Sequence, residues 1–165
     1  MIDLQYCIEN FHKPRMAKLA EFLLNESEFP YDYFEPPTFE TYMAQIKLSE
    51  ELILSINYFP IEVTDEAPYL FLQLHTLLGE LDGEPSADLY KYLSLANNNT
   101  ELSAFHVDDG KLYIKSVLVE DPQADLDIAR ISFVMRIFYN NLMAHVPVLK
   151  SLLAGASLDE ALDSE

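Results

Sequence analysis

Tyr69-Leu70-Phe71-Leu72-Gln73-Leu74-His75-Thr76-Leu77-Leu78 alternates with the period of a pleated strand. Leu70, Leu72, Leu74 and Leu78 take one side, and Tyr69, Phe71, Gln73, His75 and Leu77 take the other. The leucine side is expected to meet a core. Upstream, Tyr42, Ala44, Ile46 and Leu48 form a second alternating run, and Leu52, Leu54, Ile56 and Tyr58 a third that ends at Pro60. Neighbouring antiparallel strands are the economical reading. Downstream, Gly79 and Asp82-Gly83-Glu84-Pro85 are expected to stop the strand. Ser86 and Asp88 then open a helix through Leu89, Tyr92, Leu93 and Ala96 to the asparagines at 97 to 99.

Leu102 to Val107 and Lys111 to Val119 flank Asp108-Asp109-Gly110, a strong signal for a tight primed hairpin turn. Asp121 reads as a helix cap with Pro122 at the first position, the helix running to about His145 until Val146-Pro147 breaks it. At the amino-terminal end, Lys13 to Leu24 is the firmest helix, Pro14 interrupting the pattern before it. Residues 25 to 37 are acidic, aromatic and rich in proline, and read as a loop or lid. The expected class is α+β, in the order α-βββ-α-ββ-α, with an antiparallel sheet packed against helices. Residues 1 to 153 are expected to form a single domain, and 154 to 165 an acidic tail with at most a weak helix.

The composition supports a packed domain. With 165 residues, 50% of them apolar and 12% aromatic, the chain has enough material to bury roughly 70% of the surface its unfolded state exposes. Against 28 Asp and Glu stand 10 Lys and Arg, a formal charge of −18. So acidic a chain is a poor match for phosphate backbones and anionic lipid, so neither nucleic acid nor membrane is expected as a partner. No apolar run reaches the roughly 20 residues that span a bilayer, and the first ten residues lack the pattern of a secretory leader, which predicts a cytoplasmic protein. A single cysteine, Cys7, excludes an internal disulfide framework.

The stretch 126 to 144, projected as a helix, carries two apolar arcs. Ile128, Ile131, Val134, Met135, Phe138 and Leu142 make the broad one. Leu126, Ala129, Phe133, Ile137 and Ala144 make the narrow one, bounded by Arg130 and Asn141 on one side and by Ser132, Arg136 and Asn140 on the other. One arc suffices to lie on a sheet. The other predicts a second covering, and homodimerisation through Leu126, Ala129, Phe133 and Ile137 is the favoured one, ahead of cover by the chain's own first helix.

Leu77-Leu78-Gly79-Glu80-Leu81, Leu89-Tyr90-Lys91-Tyr92-Leu93 followed by Ala96-Asn97, and Phe105-His106-Val107-Asp108-Asp109-Gly110-Lys111-Leu112, taken with the order of elements, resemble the YbjN family over roughly residues 40 to 150. That family is similar in fold to the type III secretion chaperones. The resemblance implies a small acidic bacterial α+β protein that dimerises and binds other polypeptides, and it offers no catalytic residues to carry over. The insert at 25 to 37 lies outside the pattern.

Searched for chemistry, the chain offers little. Four glycines, Gly79, Gly83, Gly110 and Gly155, assemble neither a P-loop nor a dinucleotide fingerprint. His12, His75, His106 and His145 are scattered and show no ligand spacing, so neither a cofactor nor a metal is expected; His75 and His106 are the pair to examine. Cys7 has no activating base nearby in sequence and reads as an inert thiol. Lys13, Arg15 and Lys18 form one basic cluster, expected to pair with the protein's own carboxylates. The reading that results is a non-enzymatic protein-binding module, chaperone-like or a regulatory adaptor, acting as a homodimer. Its expected contact surface is Tyr69, Phe71, Gln73 and His75 with Tyr31, Tyr33 and Phe34 of the aromatic insert. The alternatives are a metal-assisted hydrolase built on carboxylates converging with His75 or His106, and a structural subunit of a larger complex.

Overall fold

The computed structural model describes residues 4–25, 33–35, 43–59 and 69–163. The elements are α1 (Leu4–Cys7), a π-helical turn (Ile8–His12), α2 (Lys13–Asn25), β1 (Tyr33–Glu35), β2 (Met43–Lys47), β3 (Ile53–Tyr58), β4 (Leu70–Glu80), α3 (Ala87–Asn99), β5 (Ala104–Asp108), β6 (Lys111–Glu120), α4 (Ile128–Leu153) and α5 (Leu158–Leu162). The class is α+β, as expected. The strands follow the order β1-β2-β3-β4-β6-β5 in one six-stranded sheet. Two compact units divide the chain, one made of Met1–Leu74 and Val117–Val134, the other of His75–Ser116 and Met135–Glu165, so that β4, β6 and α4 each contribute to both.

In the first unit, β2 pairs antiparallel with β3 in the register Ala44↔Ile56 and Ile46↔Leu54. All four of these side chains are fully buried, as are Leu70, Leu72 and Leu74 of β4. The alternation in the sequence thus reports the true inside of the sheet. Met16, Leu19 and Leu23 of α2 and Ile131 and Val134 of α4 are buried with them in this unit. In the second unit the core takes Leu89, Tyr92, Leu93 and Ala96 of α3, Phe105 of β5, Leu112 and Ile114 of β6, and Met135, Phe138, Leu142, Leu149 and Leu152 of α4. The β5–β6 hairpin closes at Asp109 and Gly110, with φ of +47° and +68°, the pair of positive angles a primed turn requires.

Four expectations need correction. The stretch 25 to 37 is not loop throughout: Tyr33–Glu35 forms β1, held by pairing Phe34 to Ile46, a partner that no local pattern reveals. The order is therefore α-ββββ-α-ββ-α with a short final helix. By contrast, the firm helix falls where expected, as α2 from Lys13 to Asn25, and the segment before Pro14 is less regular. A proline ring collides with the carbonyl four residues back, and here the chain widens into a π turn just before it, with the Lys13 N–H reaching back to the Ile8 carbonyl.

Gly79 does not stop β4, which runs on to Glu80; a Cβ at Gly79 would sit 2.7 Å from Leu153 Cδ1, so the glycine makes room for the end of α4. The long helix starts at Ile128, not at Pro122, and runs through Pro147 to Leu153. Asp121 instead accepts from the Gln123 N–H in a local turn, and Asp127 caps the helix by accepting from the Arg130 N–H. Interior proline costs about 3 kcal/mol, which burial of Val148, Leu149 and Leu152 in the following turns offsets. Last, the stretch after Gly155 is more than a weak helix. Ser157 and Glu160 form a reciprocal capping box, Leu158 and Ala161 are buried, and Asp88 of α3 accepts from the Leu158 N–H.

Candidate functional site

Of the expected contact residues, Tyr69 stands just before β4 and is 48% exposed, while Phe71 is half-buried. Gln73 is buried, contrary to the expectation of an open contact residue. It sits mid-strand in β4, an interior strand of the sheet, where neighbours on both sides take most of the exposure. Tyr33 and Phe34 lie in β1, and Tyr31 lies outside the described residues. His75 faces outward in the second unit and belongs to a group the sequence did not suggest.

That group is a row across three strands. The Tyr113 ring of β6 stacks against the His106 ring of β5, with centroids 5.7 Å apart and planes at 20°. On its other side the His75 ring of β4 meets it edge-on at 6.4 Å. The Lys115 ammonium hangs over the same Tyr113 ring, 5.0 Å from its centre. Burial, then the Lys115 charge, then His106 hold the His75 imidazole below its ordinary value. Burial and Lys115 do the same to His106, opposed by the hydrogen bond the ring donates to the Ala104 backbone and by the charge of Asp108. The pairing of His106 with Tyr113 was open to sequence arithmetic, since both lie three positions from the centre of the hairpin turn. The placement of His75 beside them was not, because it depends on β4 lying next to β6.

On α4 the two arcs separate as the projection predicts. Ile131, Val134, Met135, Phe138 and Leu142 are buried, whereas Phe133 is 59% exposed, Ala129 and Ala144 are exposed, and Leu126 and Ile137 are half-buried. The polar residues that border the narrow arc tie the helix down. In the first unit, Arg130 donates to the Val119 carbonyl. In the second, Asn141 donates to the Glu101 carbonyl and to Ser103 Oγ, on either side of Leu102. Leu102 itself is 58% exposed at φ +56°, a left-handed conformation that costs a branched residue about 1 to 3 kcal/mol and persists only where its surroundings impose it.

A second polar group is closed to solvent. In the first unit, the Tyr58 hydroxyl donates to Glu120 at 2.8 Å, and Arg15 of α2 donates to the same carboxylate at 3.2 Å. The other arm of the guanidinium reaches the carbonyls of Asp121, Pro122 and Ala124. The His12 ring lies parallel to Tyr58, centroids 5.6 Å apart. Burial first and the Arg15 charge second lower His12 to about 4. Burial and the adjoining Glu120 carboxylate push the Tyr58 hydroxyl up. Tyr58, His12 and Arg15 are buried and the Glu120 side chain is only 10% exposed, so this cluster anchors the turn after β6 to α2 and leaves little room for a substrate. Of the expected basic cluster, Lys13 pairs with Glu9 and Arg15 with Glu120.

Among the described residues, no three His, Cys, Asp or Glu side chains gather as a metal site would require, and no helix is long and apolar enough to cross a membrane. Cys7 is buried.

No family model and no curated protein matches this chain. Among solved structures, the crystal structure of the ExsC-ExsE complex contains a chain that is 16% identical and superposes at a TM-score of 0.45, over 88% of this chain and 98% of that one. No functional statement rests on a likeness of that degree.

Proposed function

We propose that this protein is a non-enzymatic polypeptide-binding module, chaperone-like or a regulatory adaptor, and that it acts as a homodimer through Leu126, just before α4, and Ala129, Phe133 and Ile137 of α4. The observation that carries the proposal is the exposure of Phe133 and Ala129 on the narrow arc of α4, on a helix whose broad arc is buried from Ile131 to Leu142. Covering Phe133 and Ile137 stabilises an assembly by roughly 1.5 to 3 kcal/mol for each side chain. A second copy satisfies that face with the self-complementary contact of a two-fold interface. The −18 charge on each subunit keeps such an assembly soluble and draws basic partners toward it. Tyr69 and Phe71 in the first unit and His75 in the second are the proposed contact residues for the partner polypeptide, and resemblance to the YbjN family points the same way.

Sedimentation equilibrium tests the assembly. The expected species has twice the 18.9 kDa chain mass at micromolar loading, and Phe133→Asp returns it to a folded monomer. A monomer for the unaltered chain at that loading rejects the dimer. Tyr69→Ser with Phe71→Ser is expected to weaken partner capture and leave the sedimenting mass unchanged.

A further inference from the structure

Leu102 stands in the turn between α3 and β5 with φ +56° and 58% of its surface exposed. Exposure alone is common for a leucine, but the backbone that imposes it here is not. Thr100 Oγ1 donates to the Ser103 carbonyl at 3.0 Å, and Ser116 Oγ of β6 donates to the Leu102 carbonyl. Asn141 Nδ2 of α4 donates to the Glu101 carbonyl at 2.9 Å and to Ser103 Oγ at 2.8 Å. Side chains from three places in the second unit thus fix Leu102 and the residues on both sides of it, and leave its own side chain outside. Glycine or asparagine would take the same backbone at less cost, so the leucine side chain itself needs a use.

The clamp ties Leu102 to α4. Asn141 borders the narrow arc one helical turn after Ile137, so Leu102 stands beside the second-unit end of that arc. A stable subunit interface buries about 800 Å² on each partner, contributed by roughly 20 to 30 residues. Leu126, Ala129, Phe133 and Ile137 fall well short of that, and Leu126 and Ile137 are already half-buried. An interface on this arc therefore has to spread to the element beside it. Charge indicates the occupant. The chain has 28 Asp and Glu, yet α4 has none from Ile128 to Leu153, and its Lys and Arg residues are Arg130, Arg136 and Lys150. Two chains of charge −18 repel over most of their surfaces, and approach most easily where each presents a helix without carboxylates.

Resting on the dimer reading above, we propose that Leu102 is part of the subunit interface, and that the α3–β5 turn of each copy lays Leu102 on the narrow arc of the other copy's α4. The occupant of this surface is a second copy of the chain, and a two-fold axis makes the contact twice. Because the turn is already fixed by its hydrogen bonds, docking the leucine orders no loop, which lowers the cost of association. The left-handed turn destabilises the lone chain and its leucine stabilises the pair. The two states therefore respond to substitution at Leu102 in opposite directions.

Leu102→Gly separates those responses, since glycine adopts φ +56° without strain and offers no side chain. The full chain and this variant are compared by sedimentation equilibrium over a range of loading concentrations, and urea midpoints are compared in the Phe133→Asp monomer with and without Leu102→Gly. The expected result is a dimer dissociation constant weakened about tenfold or more, because the contact is lost at two places in each dimer, and a monomer midpoint that is unchanged or raised. Leu102→Asn, which also tolerates the left-handed region, is expected to weaken the dimer likewise. A dissociation constant within about twofold of the unaltered chain overturns the proposal, leaving the α4 dimer intact and the leucine to a partner of other chemistry. A monomer midpoint lowered by Leu102→Gly overturns it too, because the leucine then packs within its own subunit. An unaltered chain that sediments as a monomer at micromolar loading rejects the dimer itself, and this contact with it.

Discussion

Two clusters in this molecule are built from the same parts and do opposite things. Each has a tyrosine ring, at least one histidine against it and a basic side chain within reach. Around Tyr58 the set is completed by Glu120: the carboxylate accepts from the tyrosine and from Arg15, and the guanidinium is filled by three backbone carbonyls. Around Tyr113, among the described residues, no carboxylate lies within ion-pair distance of Lys115, whose ammonium is held over the ring. Burying charge without a partner is so costly that the inner cluster has to be complete. The outer one is half-buried, so its basic groups stay in reach of solvent and need no internal carboxylate. The difference separates a closed fastening from a half-open row.

The largest way to break this contrast is to remove the inner cation. Arg15→Met leaves the Glu120 carboxylate buried with only Tyr58 as a donor, and is expected to destabilise the fold by about 3 to 5 kcal/mol in urea unfolding. Adding Glu120→Leu to Arg15→Met removes the stranded charge and should recover much of that loss. A double variant as unstable as the single one would mean that the Arg15 bonds to the Asp121, Pro122 and Ala124 carbonyls matter more than the ion pair.

Next comes the inner histidine. Its folded pKa, about 4, lies below the ordinary 6.5, so between those values the unfolded chain binds the extra proton and stability falls as pH falls. The full effect is up to about 3 kcal/mol, complete below about pH 4. His12→Phe keeps a ring against Tyr58 and should flatten the stability profile between about pH 6.5 and 4. An unchanged slope would place the acid sensitivity in other groups.

The smallest effect is expected from the outer cluster. Lys115→Met should alter urea stability by no more than about 0.5 kcal/mol, because a partly exposed surface lysine contributes little to folding. A loss as large as that of Arg15→Met would show that the two clusters are the same kind of object and remove the contrast.

Much of the fold was legible because burial follows period. The leucine side of residues 70 to 74, the hairpin around Asp109-Gly110 and the two arcs of the 126 to 144 helix are local statements, and the structure agrees with each. The candidate site was legible only in part. Tyr69, Phe71 and His75 were visible as the outward side of a strand, but the burial of Gln73 depends on the strands beside it. Arg15 was read as part of a basic cluster that would pair internally, yet its partner is 105 residues away, and no spacing rule spans that distance.

By itself the sequence determined the α+β class, which side of each clear strand is greasy, and that one helix carries more apolar surface than a single sheet face covers. These follow from side-chain periodicity, which needs only near neighbours. Tertiary structure alone decided that three residues of the proline-rich insert become a strand, that Pro14 is accommodated by a π turn, that α4 passes through Pro147, and that Leu102 is held left-handed in the open. Each of those conformations is locally unfavourable or indifferent, and is settled by strand pairing, burial or hydrogen bonds with residues far along the chain.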